Sequence, residues 1–402
     1  MAGTEYEVAV AGGGIAGPAV AALLAGRGHH VVLVPGESYD EEWFEMLEPG
    51  VERVFGDLGR NLVPDAVAPR GNGEVLIGFG AQRFRPMSYA ATGSASRSRH
   101  VEGKALSALL VARARERGVE VLDGALATAP LVEDGAAIGF ECFVDGQPRV
   151  LRARVVVDAT GAPGLVPTAM GAASADRGTA TTASVRVHEV PPAALPFAEA
   201  GPFGYLERLP AGRAWLWYVP SGDAGGGLAF GSLDRDDVPA TWPDLLAGTV
   251  LGELFGAATP AGAVRTSAVP GFSATVCGRG WIALGDAAGV DPGPLASGAS
   301  MALLAAQSAV RAIELLVEDP ADRAVANTVD RCHREVGAAL VAHSAFWIDP
   351  ARAGESDVDL VRNLASAFGG ELAPGMARMR DAFSGLAPLF DVDAPDGYLL
   401  AW

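Results

Sequence analysis

Gly12, Gly14 and Gly17 follow a short apolar run, Val8-Ala-Val10, and lead into an alanine- and leucine-rich stretch from Pro18 to Ala25. Strand, glycine loop and helix in that order are the setting of a dinucleotide fingerprint. Gly12 permits the tight turn, Gly14 lets a pyrophosphate approach the backbone, and Gly17 lets the helix pack closely on its strand. Around Ile15 and Ala16 the new helix exposes unpaired N–H groups and a partial positive charge to an anion. The spacing by itself is weak in a chain with 52 glycines, and a glycine turn that binds nothing would share it.

A second chemical group comes late. Gly285-Asp286-Ala287-Ala288 follows the apolar run Trp281–Leu284. A carboxylate at a strand end accepts hydrogen bonds from sugar-like hydroxyls, or from nearby backbone. Asp291 and Ser297-Gly298 come next, before a helix that begins near Ala299. A loop carboxylate such as Asp291 more commonly bonds local backbone than acts in catalysis. A third group, Asp158-Ala-Thr-Gly161, ends the run 150–157.

The elements that must position these groups alternate in character. Residues 6–34 read as β-α-β, with Gly28 placed to stop the helix. A helix over 105–117 precedes a strand at 119–122. Further strands are expected at 150–157 and 281–285, and a helix at 299–317. Residues 180–232 alternate apolar and polar side chains, which predicts a mostly antiparallel sheet to which 60–98 contributes. From Pro320 onward the pattern is helical. The expected class is α/β: a Rossmann-like domain (1–60, 99–178 and 265–318), an inserted antiparallel substrate domain (61–98 and 179–264), and a helical cap (319–402).

Bulk properties narrow the partners. The 402 residues carry a net charge of −18, so nucleic acid and anionic membrane surfaces are poor partners. The 3 cysteines, Cys142, Cys277 and Cys332, are far apart, and the 6 histidines lack ligand spacing, so neither a disulfide framework nor a metal site is expected. No run approaches membrane-span length, and the N-terminus lacks a basic signal-like region. The expected location is the cytoplasm.

Together, GxGxxG, DATG and GDAAGxDP…SG resemble FAD-dependent oxidoreductases of the aromatic hydroxylase-like class. Trp215-Leu-Trp217-Tyr-Val219-Pro220 resembles the WxWxIP signature of flavin-dependent halogenases, with Val for Ile. Gly36-Glu37-Ser38 resembles their GES element, and His343-Ser-Ala-Phe346-Trp347 a C-terminal element of the same branch. The resemblance implies that Asp286 binds the ribityl chain and that Ser297-Gly298 lies along the isoalloxazine. It implies FAD held also by Gly161 and the Glu37-Ser38 loop. The implied function is a monooxygenase that oxidises an aromatic group, free or borne on a carrier or peptide, through a flavin C4a-hydroperoxide. Electrons would come from NAD(P)H or a separate flavin reductase. The substrate would lie against Tyr205, Arg213, Trp215 and Trp217, by stacking. The same aromatics also suit a sheet that merely fills a core. His100 is a general-base candidate, although a lone histidine after a loop is more often a surface or capping residue.

Four positions depart from the pattern. Pro35 stands where an acidic residue usually meets the adenosine ribose, and Glu37 is its nearest substitute. Gly103 stands where an arginine meets the flavin phosphates; adjacent Lys104, the sole lysine, either supplies that charge or is simply solvated. Halogenases relay hypohalous acid through a lysine well before this helix, with a partner glutamate at the place of Ala296. Neither residue is present, which argues against halogenation. An oxidase or dehydrogenase on the same scaffold, and a non-catalytic binding module, remain rival readings.

Overall fold

A computed structural model describes residues 5–36, 44–47, 51–59, 74–79, 85–88, 99–173, 180–188, 190, 195, 204–209, 213–221, 225–233, 238–269, 271–290 and 298–348. The strands are β1 Glu5–Ala11, β2 Val31–Val34, β3 Phe44–Leu47, β4 Glu74–Phe79, β5 Arg85–Ser88, β6 Arg99–Glu102, β7 Glu120–Val121, β8 Leu126–Glu133, β9 Ala136–Val144 and β10 Gln147–Asp158. They continue with β11 Thr181–Val187, β12 Gly204–Arg208, β13 Ala214–Ser221, β14 Gly225–Ser232, β15 Ser267–Ala268, β16 Cys277–Gly278 and β17 Trp281–Ala283. The helices are α1 Ala16–Ala25, α2 Glu52–Leu58, α3 Gly103–Glu116, α4 Leu165–Ala169, α5 Trp242–Leu246, α6 Val250–Phe255, α7 Gly298–Glu318 and α8 Arg323–Ile348.

The first sheet runs β16-β17-β10-β1-β2-β7. Strands β17, β10, β1, β2 and β7 are mutually parallel. Parallel strands are buried on both faces, which is why β1 and β2 read as unbroken apolar runs. Val8, Val10, Leu33, Val155 and Val157 face one core with α1, α3 and α7. Ala9, Ala11, Val32, Val34 and Val156 face a second core with α4 and the hairpin β8–β9. That hairpin continues into β10 through two Asp-Gly turns, in which Asp134 and Asp145 take φ of 49° and 51°. Both central residues at positive φ define the hairpin turn that Asp-Gly favours.

The second sheet runs β15-β11-β14-β13-β12-β4-β5 and is antiparallel except where β4 meets β12. One face packs Tyr205, Leu216, Tyr218 and Phe230 against Trp242 and Leu245 of α5 and Leu251 and Phe255 of α6. A separate two-stranded ribbon, β3 with β6, touches α7 and also β13.

The expected elements from 6 to 34 and at 105–117, 150–157 and 299–317 form within a few residues of their expected limits. One expectation needs correction. By length and composition α7 is long and apolar enough to cross a membrane. It runs instead through the protein interior beside α1, with Leu303, Ile313 and Leu316 fully buried, as a core helix does. Of the expected C-terminal cap, α8 is described; residues 349–402 lie outside the described residues.

Glu207 on β12 shows how the second sheet holds its helices. Its two carboxylate oxygens accept from Val250 N at 2.6 Å and Leu251 N at 2.8 Å, at the start of α6. The residue is fully buried, and desolvation raises its carboxyl to about 7 despite those donors. An acid whose pKa is higher in the folded state holds more protons folded than unfolded, so stability falls as pH rises from about 4.5 to 7. The stability difference between wild type and Glu207→Gln should therefore shrink over that interval, by at most about 3 kcal/mol, and level off above it. Parallel chemical denaturation at several pH values measures this; a difference constant with pH contradicts it.

Candidate functional site

Four parallel strands end together at one edge of the first sheet. Ala11 stands level with Val34 and Asp158, and Asp158 with Ala283. The loops that follow must share that edge, which is where ligands bind in open parallel sheets.

The glycine loop is shaped by the neighbouring chain. Gly12 has φ of 114°, and a Cβ there would lie 2.0 Å from the carbonyl oxygen of Ala159. A Cβ on Gly17 would lie 1.9 Å from the oxygen of Gly12, so the start of α1 sits directly on the turn. Gly14 is half-buried. At the helix start Ile15 makes no side-chain cap, and the first turn holds no acidic residue. Its N–H groups are therefore open to an anion.

The loops after β10 and β17 complete the edge. Asp158 is fully buried; it accepts from Thr160 N and Thr160 Oγ1 at 3.0 and 2.7 Å and from Val166 N at 2.6 Å. Burial pushes its carboxyl up, and these donors oppose the shift. Its role is to fold the turn through Gly161, itself half-buried at φ of 81°, and to anchor α4. Gly285 has φ of 60°, and a Cβ there would stand 3.2 Å from the Cβ of Ala16 and 4.0 Å from that of Ala302. The starts of α1 and α7 thus converge on one turn. Asp286 follows on that turn and is exposed. Gly298 is the exposed first residue of α7.

This edge fits a dinucleotide. It offers an uncapped helix start, glycines that bring backbone close, and an exposed carboxylate beside them. Lys104 lies exposed in the first turn of α3, whose Ser107 donates to Gly13 O at 2.6 Å and ties that helix to the glycine loop. Glu37, Ser38, Asp291 and Ser297 lie outside the described residues.

The expected substrate residues separate. Trp215 and Trp217 lie on one face of β13, over glycines of adjacent strands. A Cβ on Gly231 would meet the Trp215 ring at 2.2 Å, and one on Gly204 the Trp217 ring at 2.6 Å. Tyr205 does not join them. It pairs with Tyr218 on the opposite face, ring centroids 6.0 Å apart, inside the core against α5 and α6. Strand alternation separates the two groups. Arg213 is exposed just before β13.

His100 is neither a surface nor a capping residue. It is 5% exposed on β6, opposite Met46, and burial lowers its imidazole to about 4, so it is neutral at pH 7. The ribbon has two faces. Leu47 and Val101 turn into the first core. Alternation puts His100 and Glu102 on the other side. There Glu102 meets Arg186 of β11 at 3.5 Å. Arg186 belongs to the face of the second sheet that carries Trp217, through the register Arg186–Gly227–Val219. His100 and the tryptophans therefore border the same interlayer. The alternation within 99–102 was the available signal, but only with its partner strand known.

Residues 37–186 match the family model of the FAD binding domain. No curated protein sequence matches significantly. Among solved structures, the flavin-dependent brominase Bmp2 superposes with a TM-score of 0.73 at 18% identity, over 99% of this chain and 97% of that one. The flavin-dependent halogenase CmlS gives 0.72 at 21% identity, over 95% and 78%. PqsL of Pseudomonas aeruginosa, a probable FAD-dependent monooxygenase, gives 0.68 at 19% identity, over 95% and 100%. The chain has the fold these flavoproteins share.

The Ser107 contact generates a prediction. Ser107→Ala should lower stability by about 1 kcal/mol, the net worth of one partly buried hydrogen bond, and weaken binding at the glycine loop with it. Thermal unfolding of the ligand-free and FAD-loaded variant tests both; an unchanged midpoint in each form refutes the anchor.

Proposed function

We propose, from the FAD-binding fold shared with flavin-dependent halogenases and monooxygenases, that this chain is an FAD-dependent monooxygenase acting on an aromatic substrate. The observation that carries this is the convergence of α1, the Gly285-Asp286 turn and α7 on one sheet edge. The start of α1 would receive the pyrophosphate. Asp286 would accept hydrogen bonds from the ribityl hydroxyls, and Gly298 at the start of α7 would border the ring. The bound flavin would supply oxygen activation and electron transfer.

The protein's own residues then orient the substrate and exclude water. Trp215 and Trp217 would form the wall against which an aromatic ring stacks, which requires the interlayer to open, since they are 3% and 1% exposed. Neutral His100 across the interlayer would hold or take a proton from a bound group. Halogenation by a lysine relay is disfavoured, because the sole lysine, Lys104, stands exposed at the start of α3. NAD(P)H or a flavin reductase would provide electrons. The cytoplasm is the location this reading favours.

Asp286→Ala should reduce FAD affinity at least about tenfold, the scale of one lost charge-assisted hydrogen bond. Flavin absorbance of the purified variant after FAD reconstitution and desalting measures it. Wild-type occupancy in the variant removes the site assignment. A turnover product heavier by one oxygen supports the monooxygenase; loss of two hydrogens supports an oxidase instead.

A further inference from the structure

The turn that carries Asp286 is held at both ends. At its start, Leu284 N donates to Asp158 O at 2.8 Å and ties the end of β17 to β10. At its close, Ala288 N donates to Gly285 O at 2.9 Å, and Ala288 O accepts from Ser273 N at 3.0 Å. The far end of the turn therefore rests on the segment 272–277, which leads into β16. One face of α8 grips that segment. Asp330 Oδ1 accepts from Val276 N at 2.7 Å and from Cys277 N at 3.1 Å, and Arg334 Nη1 donates to Ala274 O at 3.0 Å. His333 meets Phe272 edge to face, with ring centroids 5.6 Å apart. Residues 330, 333, 334 and 337 share a helix face by their spacing.

Phe272 is confined from two sides. A Cβ on Gly289 would stand 2.6 Å from Phe272 Cα and 2.8 Å from its Cδ1. A Cβ on Gly337 would stand 2.8 Å from its Cγ and 3.1 Å from Cδ2, the other ring edge. The ring is a wedge between α8 and the residue that follows the turn. Close-packed interiors have few voids, so an added methyl group there displaces its neighbours. Pressure on the Cδ2 edge moves the ring toward Gly289 and Ala288. The near end of the turn is fixed by the sheet, so the displacement falls on the turn itself.

We propose that Gly337, His333 and Arg334 of α8 are positioning residues that act through Phe272 and its segment to set the Gly285–Asp286 turn, and with it the affinity for FAD. This rests on that turn being the flavin site of the proposed monooxygenase. None of the three need touch the cofactor; α8 acts as a clasp on the far end of the turn.

The test titrates FAD into the full-length chain, reading flavin fluorescence for affinity and visible circular dichroism for the setting of the bound flavin. Gly337→Ala should bind FAD about tenfold more weakly, with an altered dichroism spectrum. Alanine is the better helix former, so such a loss reports the contact with Phe272 rather than a weakened helix. Val325 lies on α8 but packs into the first core. Val325→Ala should lower stability and keep FAD affinity within about twofold of wild type. Adding Phe272→Leu to Gly337→Ala makes room for the methyl group and should recover affinity to within about threefold. Wild-type affinity in Gly337→Ala, an equal loss in Val325→Ala, or no recovery in the double variant overturns the clasp. Should Gly337→Ala not fold, Arg334→Ala, at an exposed position, decides: a loss of about threefold upholds the clasp and wild-type affinity overturns it. Asp286→Ala in parallel separates the two claims. If it loses FAD while Gly337→Ala keeps it, the clasp alone falls; if it binds FAD as wild type does, or wild type binds none, the cofactor site falls and the clasp with it.

Discussion

Gly285 stands where an added methyl group would press on Ala16, at 3.2 Å, and touch Ala302, at 4.0 Å. This close approach is the constraint on which the cofactor edge depends. Gly285 also has φ of 60°, which side chains rarely adopt, so the turn between the two helix starts favours glycine. The same economy of side chains recurs at Gly12, against Ala159, and at Gly17, against Gly12. Backbone N–H groups and one carboxylate are thereby presented together without bulky neighbours. Larger residues at any of these points would push α1 or α7 away and separate the groups.

The second constraint is the ribbon β3–β6. It has one face in the nucleotide-domain core, through Leu47 and Val101, and the other toward the tryptophan strand. It also touches α7. The ribbon is therefore the element that stands between α7 of the first layer and β13 of the second sheet. The ion pair of Arg186 with Glu102, both partly exposed, contributes little energy on its own. Its value is in orientation, since it settles which faces oppose.

Much of the cofactor edge was legible in the residues. The glycine spacing, the apolar run before it and the helix after it are local, and local geometry follows from them. The late Gly-Asp turn was legible for the same reason. Its contact with Ala16 was not, because residues 16 and 285 are brought together only by parallel strand register. The hairpin β8–β9 was missed although Asp134-Gly135 and Asp145-Gly146 are strong turn signals. The tryptophan strand was read correctly as a strand, but Tyr205 was grouped with it. Type and proximity suggested one aromatic wall, whereas the cross-strand register places Tyr205 opposite Tyr218, on the other face.

By itself the sequence determined the α/β class, the strand–glycine loop–helix start and the absence of a relay lysine. Each of these is a property of residue types at short spacing. Tertiary structure alone decided that His100 is buried and neutral, that it borders the same interlayer as Trp217, and that Tyr205 does not. Burial and facing depend on which strands pair and in what register, as Met46 does with His100 and Tyr205 with Tyr218, and on the ribbon lying against β13. Hydrophobic burial is non-directional, so a pattern of apolar residues says that a face is covered, and only the fold says by what.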